Sequence, residues 1–518
     1  MTHPLGSPFV RDQLSPRVVL LNERRVQPKG HYVLYWMRST QRFEDNWALR
    51  MATLEADRIG KPLLIYHELS PRRAYASTRF HTFAMQGAQE LAARALHLGL
   101  TYRFALPHRV EGADRYLACL TARAALVVTD YLPTTEAIAG AALVAGRAPC
   151  QALAVDSFGV VPFGIFHKAE YAARTIRPRH VAHLALSLEP VADRPPRCGV
   201  PASLLDSLEV QWLDVRGCDI SAEVARCDVD HDVAAVPLRG GLVSARARLA
   251  TFLSDGLRDY STRRRNPSDV EGTSRLSPYL SHGMISPLEI VRDVLATDAG
   301  AHRDAFLDEL LTWRELALNF CARDPAHDSL SAVPDWAHRS MAAHAADKRE
   351  VIYSLDVLER AATHDPLWNA GQRELVETGQ MHGVVRLLWG KSVLRWATRY
   401  EDAFAWLQHL NDKYSLDGRD PTGIASIQWC FGKFDRPFVA RPVWGAIRPM
   451  SLERALSKYD ARSYVTRWGA HGATAAPLVA RRPDARANNC ASVMRQSCRA
   501  IAALVPLDTR GGAPATVS

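Results

Sequence analysis

The sequence predicts an α/β domain built on a parallel, Rossmann-like sheet, followed by an all-α domain. Over residues 31–187, short apolar runs rich in aromatic and β-branched residues alternate with helical periodicity, which is typical of a doubly wound parallel sheet. Over residues 243–468 the helical periodicity continues with almost no strand-like run. Residues 188–242 are punctuated by several prolines and a Gly-Gly pair, which predicts an interdomain linker.

The first half supplies five predicted strands and two predicted helices. The strands are the apolar runs 31–37, 62–67, 100–106, 124–130 and 151–156. Helical periodicity covers residues 45–60 and 80–98, and each stretch ends at a glycine, Gly60 or Gly99. No GxGxxG motif follows the first strand, so the glycine-rich dinucleotide fingerprint is absent there. Residues 1–30 contain prolines and arginines and are predicted to form a loose N-terminal arm.

The second half is predicted to be helical throughout. Its helical patterns cover residues 244–260, 287–296, 302–321, 353–363, 370–377, 381–396 and 401–412. After them, residues 469–518 are rich in Ala, Arg and Pro and show no periodicity. A disordered tail is predicted for that stretch.

Composition and charge narrow the class of protein. The chain has 518 residues and a formal net charge of +9, which favours an anionic partner such as nucleic acid. Its nine cysteines are irregularly spaced without a CxxC pair, which predicts reduced thiols in a cytoplasmic protein and neither disulfides nor a zinc site. Because no signal-peptide-like or membrane-length apolar run occurs, no membrane contact is expected.

Three tryptophans in the helical half are the first candidates for chemistry. Trp389 and Trp396 are seven residues apart and therefore share a helix face, and Trp368 lies upstream. Indole is readily oxidised by one electron, so a row of indoles can conduct electrons to a buried redox centre. Large aromatic residues also dominate core packing, and the pattern alone leaves both interpretations open.

A hydroxyl-rich turn is a candidate anion site. Thr273, Ser274 and Ser277 precede or open a predicted helix, where free N–H groups and the helix dipole favour a phosphate. Simple N-capping by the same hydroxyls is the alternative interpretation.

Several polar side chains could recognise a flat ring with hydrogen-bonding edges. Glu309 and Trp313 are four residues apart and share a helix face. Arg386 and Asp417 could form a buried ion pair beside a cofactor, and Asn411 could face a ring nitrogen. Each of these residues could equally be a cap, a solvated side chain or part of the core.

The stretch from 432 to 468 is basic. It contains eight Lys or Arg residues and three acids, interleaved with aromatic residues. The basic residues are 433, 436, 441, 448, 454, 458, 462 and 467, and the aromatic ones are Phe438, Trp444 and Tyr459. Basic residues with exposed rings suit phosphate contacts and base stacking, although a solvated charged face gives the same pattern.

Taken together, these motifs resemble the cryptochrome/photolyase family, and in detail the class II cyclobutane pyrimidine dimer (CPD) photolyases. The resemblance covers roughly 30–187 and 243–468. The matching runs are 35–38, 41–49, 273–280, 364–369, 381–383, 410–414, 420–421, 435–437 and 441–442. Their order and spacing are specific, although no single run would be enough.

The resemblance implies an N-terminal antenna domain over 31–187 and a helical FAD-binding domain over 243–468. It implies that one set of residues contacts FAD, mostly at the phosphates: Tyr260, Thr273, Ser274, Leu276 and Ser277. Arg386 and Asp417 would pair beside the isoalloxazine, and Asn411 would face flavin N5. For a second, antenna chromophore, the resemblance leaves three alternatives open: an 8-hydroxy-deazaflavin, a methenyltetrahydrofolate or none.

The resemblance also implies catalytic and DNA-binding residues. Trp389, Trp368 and Trp396 would carry electrons, in that order outward from the flavin. Glu309, Trp313 and Trp429 would line the dimer pocket, with Arg264 near the lesion. Arg436 and Arg441 would contact DNA. The implied activity is light-dependent repair of pyrimidine dimers in UV-damaged DNA by a monomer, through electron transfer from photoexcited reduced FAD to a flipped-out dimer.

Three departures and three alternatives accompany this resemblance. Residues 188–242 match poorly, the tail has no counterpart, and Leu387 stands where a methionine is expected. The main alternative is a cryptochrome-like blue-light receptor, which the pocket residues disfavour because a receptor need not keep them. A (6-4) photolyase lacks support because no His pair occurs in the matching segment, and a light-independent flavin oxidoreductase is the remaining possibility.

Overall fold

The structure is a computed structural model that describes residues 2–451, 454–455 and 460–469. Its strands are β1 His3–Pro4, β2 Val18–Leu20, β3 Tyr32–Met37, β4 Leu63–Glu68, β5 Tyr102–Ala105, β6 Ala124–Asp130, β7 Ala152–Val155 and β8 Val191–Ala192. Its α-helices are α1 Pro8–Leu14, α2 Trp47–Ile59, α3 Thr78–His97, α4 Arg115–Ala122, α5 Thr135–Arg147, α6 Ala173–Leu188, α7 Ala202–Asp206, α8 Ile220–Ala225, α9 Leu242–Thr251, α10 Tyr260–Arg263, α11 Ser277–Ser281, α12 Pro287–Leu295, α13 Gly300–Asp308, α14 Arg314–Arg323, α15 Asp335–Ala343, α16 Leu355–Glu359, α17 Pro366–Thr378, α18 Gly383–Trp396, α19 Tyr400–Tyr414, α20 Pro421–Cys430 and α21 Ala461–Gly469. Short 3₁₀ turns cover Ser15–Arg17, Phe163–Ile165, Val270–Gly272 and Leu330–Ala332, and π-helical turns cover Phe252–Gly256 and Glu309–Trp313.

The first half contains the parallel sheet that the sequence predicts. Its six strands follow the order β2-β7-β6-β3-β4-β5, and β3 to β7 all run parallel. In the central register, Tyr35 pairs with both Ile65 and Val128. Every residue of β3 and β6 is buried, because helices cover both faces, and this double burial makes the strands continuous apolar runs.

The N-terminal arm predicted over 1–30 is instead part of this domain. Strand β2 adds an antiparallel edge to β7, and β1 pairs with β8. Arg17 is fully buried, where its guanidinium donates to the carbonyls of Gly159 and Val160, each at 3.0 Å, and lies 3.4 Å from Asp156 Oδ2. The prediction was wrong because a strand of three residues carries no periodicity and because a neutralised arginine can be buried.

The segment 188–242 is packed on the α/β domain along much of its length. Leu205, Leu208 and Val210 join the core on one face of the sheet, and Val215 and Val224 join the core on the other face. These apolar residues are irregularly spaced along the segment, which is why the sequence shows no helical or strand period there. The segment therefore covers the α/β domain on its way to the helical half.

The second half is helical, as predicted, and two of its predicted helices contain π-helical turns. The prediction over 302–321 corresponds to α13 and α14 joined by the π turn Glu309–Trp313, and 244–260 contains the π turn Phe252–Gly256. A π turn shifts the side chains that follow it and is frequent at functional sites. The predicted tail, 469–518, lies outside the described residues after Gly469. No helix in the described ranges is long and apolar enough to cross a membrane.

Hydrogen bonds and ion pairs hold the two halves together. Arg79 of α3 donates to the carbonyls of Leu375 and Tyr414 at 3.3 and 2.6 Å. Asp45 forms an ion pair with Arg292 of α12 at 2.8 Å. The helices that surround the cavity described below are thus fixed to the sheet domain.

Candidate active site

One cavity of about 610 Å³ opens inside the helical half. Its volume lies in the range of cofactor and ligand pockets. Twelve of the predicted site residues line it: Arg264, Thr273, Ser274, Leu276, Ser277, Glu309, Trp313, Arg386, Trp389, Asn411, Asp417 and Trp429. The lining residues come from segments spread over more than 150 positions of the chain, and the fold brings them to one place.

Five predicted site residues are not part of the lining. Trp368 and Trp396 lie behind Trp389, as described below. Tyr260 is buried against Phe252 and Phe306, with the Arg264 guanidinium 5.6 Å from its ring centroid. Its contact with Arg264 links it to a residue that does line the cavity. The remaining two, Arg436 and Arg441, are exposed on the surface.

The hydroxyl-rich turn enters the cavity just before α11. Arg275 has φ of +53°, which reverses the chain between Ser274 and Leu276. The N-cap position of α11 is Leu276, and no side chain caps this helix. The hydroxyls of Thr273 and Ser274 therefore do not cap α11. The capping interpretation does not apply to these two residues.

Arg386 and Asp417 form the predicted ion pair. The Arg386 Nη2 donates to Asp417 Oδ1 at 2.9 Å and to the Ser415 hydroxyl at 3.1 Å. Burial alone raises the pKa of Asp417, but Arg386 and the hydroxyls of Ser277 and Ser415 outweigh burial and lower that pKa below its usual value. The pair presents a guanidinium held by a charged carboxylate to the cavity.

Asn411 is held with a defined orientation. Its amide nitrogen donates to Asp412 Oδ1 at 2.9 Å, and the same oxygen accepts the Arg419 backbone N–H at 3.0 Å. A side chain at Gly423 would approach the Asn411 amide to 3.2 Å. With its nitrogen engaged, Asn411 has its amide oxygen left for a hydrogen-bond donor in the cavity.

Three indoles form a continuous row from the cavity wall into the core. Trp389 stacks on Trp368 with ring centroids 6.1 Å apart and an interplanar angle of 10°, and Trp368 meets Trp396 edge-on at 5.6 Å. The Trp368 Nε1 donates to the Trp389 carbonyl and the Trp389 Nε1 to the Gln372 side chain, each at 3.0 Å. The row fills a core and is also spaced for electron transfer, so the two interpretations are compatible.

The row continues towards the surface through two residues that the sequence reasoning missed. Tyr353 and His364 contact Trp396 at centroid distances of 5.4 and 5.5 Å. The Tyr353 hydroxyl is 2.7 Å from His364 Nδ1, and His364 is exposed. His364 stands in a matched motif beside Trp368, which is the signal that could have pointed to it.

The mouth of the cavity combines an ion pair with two stacked indoles. Trp313 and Trp429 stack with centroids 4.9 Å apart and an interplanar angle of 17°. Glu309, at the start of the π turn, forms an ion pair with Arg264. The π turn places Glu309 and Trp313 together on the cavity side, as their predicted shared face requires.

The basic stretch 432–468 does not form one surface. Lys433 donates to the Ala332 carbonyl at 2.7 Å and pairs with Asp324 at 3.3 Å, so it supports the fold. Trp444 is buried, which excludes it as an exposed stacking ring, whereas Phe438 is exposed. Two members of the predicted set, Lys458 and Tyr459, lie outside the described residues.

Comparisons with known proteins agree with this geometry. A family model for DNA photolyase matches residues 33–197. A deoxyribodipyrimidine photo-lyase from Methanothermobacter thermautotrophicus is 34% identical over 454 residues, covering 87% of this chain and 97% of that protein. A class III photolyase structure from Agrobacterium tumefaciens has a TM-score of 0.61 at 18% identity, covering 92% of this chain and 98% of that chain. An archaeal photolyase from Sulfolobus tokodaii, solved with two FAD molecules, has a TM-score of 0.60 at 18% identity, covering 84% and 89%.

An α/β domain joined to a helical domain is the fold that this chain shares with solved structures of a photolyase and a cryptochrome. The chain belongs to the DNA photolyase family. Its relatives named deoxyribodipyrimidine photo-lyase cover most of its length. The family, the fold and the enzyme class predicted from the sequence motifs are thereby confirmed.

Proposed function

We propose that this protein repairs cyclobutane pyrimidine dimers in DNA by light-driven electron transfer. One observation carries the proposal: a single cavity has in its wall Trp389, the first of a row of three indoles that extends into the core, and has a carboxylate with two stacked indoles at its mouth. The first feature suits electron supply and the second suits recognition of a flat lesion. The two features serve one chemistry only if the cavity also holds a redox cofactor.

The residues of the cavity fit FAD. Thr273 and Ser274 offer hydroxyls and Arg275 a guanidinium for a pyrophosphate. Arg386 and the amide oxygen of Asn411 offer a cation and an acceptor for the polar edge of an isoalloxazine. When bound, FAD supplies the light-absorbing one-electron donor, and the protein supplies position and electrostatics.

The tryptophans would keep the cofactor in its reduced form. Trp389 borders the cavity, and Trp368 and Trp396 extend from it in sequence. Each indole donates or accepts one electron without moving, because all three are buried in a packed core. Tyr353 and His364 connect the outermost indole to solvent.

The mouth of the cavity would receive the flipped-out dimer. Trp313 and Trp429 offer ring faces against which pyrimidines stack, and stacking of a base on an aromatic ring contributes roughly 1–3 kcal/mol. Glu309 offers a hydrogen-bond acceptor to the base edges. Since Glu309 is paired with Arg264, a base that binds Glu309 would replace that partner, and Arg264 would become available to a DNA phosphate. A dimer costs less to extrude than intact bases, which gives selectivity.

The domain assignments follow from the same function. Residues 243–468 would form the catalytic FAD domain and 31–187 the antenna domain, with a deazaflavin or folate as its chromophore. Arg436 and Arg441, exposed on the surface, would hold the DNA backbone independently of sequence.

A repair assay tests the proposal. Purified, photoreduced protein is mixed with a dimer-containing oligonucleotide in light and in darkness, and restored pyrimidines are counted. Light-dependent restoration is expected, and Glu309→Ala should reduce its rate while Glu401→Ala, on an exposed helix start, should not. Flavin that is photoreduced in a protein that splits no dimer would instead indicate a cryptochrome-like receptor.

A further inference from the structure

The last described helix, α21, forms part of the cavity wall. Arg467 and Trp468 of this helix are among the residues that line the cavity. The sequence predicts a DNA contact for this basic stretch, and Arg462 of the same helix is indeed exposed and absent from the lining. Arg467 is exposed as well, so the two arginines of this helix differ in that Arg467 also lines the cavity.

Helix α21 is anchored through residues that themselves border the cavity. Tyr464 is fully buried, and its hydroxyl donates to Glu374 Oε2 at 2.5 Å. The same Glu374 oxygen accepts the backbone N–H of His382 at 3.2 Å, and Arg275 Nη2 lies 4.0 Å from Glu374 Oε1. Glu374, His382 and Arg275 all line the cavity, so the anchor fixes α21 relative to the site.

A second contact places α21 beside the hydroxyl-rich turn. The Ser268 hydroxyl donates to the carbonyl of Asp460, the residue before α21. Ser268 leads into Thr273 and Ser274, and Arg275 follows them. One contact of α21 is made directly to the segment 268–275, at Ser268, and the other reaches Arg275 of that segment through Glu374. The hydroxyls and the guanidinium of this segment suit an anion.

We propose that α21 belongs to the cofactor site, where Arg467 binds the pyrophosphate of the dinucleotide and Trp468 shields it from solvent. A guanidinium binds phosphate oxygens through two parallel charge-assisted hydrogen bonds. Trp468 is half-buried, with one part of its ring on the core and one towards the cavity. The inference rests on the proposed function, because it takes FAD as the occupant of the cavity.

The rate of FAD release from the holoprotein tests the inference. Free FAD is followed by its fluorescence after dilution in the dark. Arg467→Ala should release FAD about tenfold faster or more, the loss expected for one charged hydrogen bond, and Arg467→Lys should recover part of the retention. Arg462→Ala is the matched control on the same helix and should release FAD at the parental rate.

Further variants test separately the contribution of the Trp468 ring and that of the Tyr464 hydroxyl, which anchors α21 to Glu374. Trp468→Ala should accelerate release more than Trp468→Phe, which keeps an aromatic cover. Tyr464→Phe keeps the buried ring and removes only the hydroxyl that holds Glu374, so release should again be faster. The thermal unfolding of each holoprotein distinguishes a loosened site from a protein that no longer folds.

Several outcomes would overturn the inference. If the parent, Arg467→Ala and Arg462→Ala release FAD at the same rate, α21 is not part of the cofactor site. Unchanged release with weaker DNA affinity in Arg467→Ala would assign the helix to DNA binding. FAD bound by the parent shows that the protein holds the cofactor even if this inference fails, and the repair assay tests the proposed function separately, whereas a parent that binds no FAD would refute both.

Discussion

Two groups of tryptophans, one extending from the cavity wall into the core and one lining the cavity itself, have the same side chain and different surroundings. Trp389 and Trp368 are 2% and 1% exposed, and both indole nitrogens donate to acceptors. Trp313 and Trp429 are half-buried and stacked on each other, and among the described residues neither indole N–H has an acceptor. An indole that must keep a fixed distance is packed and hydrogen-bonded, whereas an indole that must receive a ligand stays partly open. Burial and hydrogen bonding thus assign different roles to one residue type.

The largest effect is expected at the cavity end of the buried row. Trp389→Phe removes the indole that borders the cavity, and a phenyl ring is far harder to oxidise. Photoreduction of the bound flavin should be lost, as followed by its absorbance under blue light. Affinity for dimer-containing DNA should stay parental, and chemically reduced protein should still repair. Photoreduction at the parental rate would show that another path supplies the electron.

For the half-buried pair, Trp313 and Trp429, a substitution should lower DNA affinity and leave photoreduction unchanged. Trp429→Ala removes one stacking face, so affinity for a dimer-containing oligonucleotide should fall by about 1–3 kcal/mol. Photoreduction should be unaffected, since Trp429 is not part of the buried row. Equilibrium binding by fluorescence anisotropy measures the affinity, with undamaged DNA as the reference. If photoreduction fell together with affinity, the proposed division between the two groups would be wrong.

The hydrogen bond that fixes the buried row can be tested by stability. Gln372→Leu leaves the Trp389 indole N–H buried without its acceptor, which costs about 1–3 kcal/mol. The free energy of unfolding, measured by urea titration of the holoprotein, should decrease by that amount. Gln408→Leu, which removes a half-buried amide hydrogen-bonded to the Asp328 carbonyl, should cost less. If both variants lose the same free energy of unfolding, the hydrogen bond of Trp389 contributes no more to stability than that of Gln408.

The smallest effect is expected outside both groups. Arg436→Ala removes an exposed charge, so binding to damaged and undamaged DNA should weaken equally. The slope of log affinity against log salt should become shallower by about 0.9 for each phosphate contact that is lost. A selective loss for damaged DNA would place Arg436 at the lesion instead of the backbone.

Much of the fold follows from local sequence patterns. The strand at 124–130 is predicted with the bounds that the structure has, because a strand buried on both faces is a continuous apolar run. Strand β2 escaped prediction because its three residues carry no period. The burial of Arg17 escaped as well, because its partners lie about 140 residues further along the chain.

Local sequence patterns predict the residues of the site less completely than they predict the fold. Family motifs pointed to twelve of the residues that line the cavity. They did not reveal that Arg467 and Trp468 line the cavity, because a count of charges cannot tell which residues of a helix border a cavity. Lys433 illustrates the same limit, since its charge is used to hold a carbonyl and Asp324. Tertiary packing decides each of these cases.

The pairing of the N-terminus has a consequence for how the protein is made. Strand β2 has its partner at Ala152–Val155 and β1 has its partner at Val191–Ala192. During synthesis, β2 must wait unpaired until β7 has left the ribosome, and β1 must wait until β8 has done so. Such distant pairing slows folding and leaves a strand edge exposed in the meantime. A growing chain of this protein therefore carries an unpaired N-terminal strand, β2, for the time in which the more than one hundred residues before β7 are made.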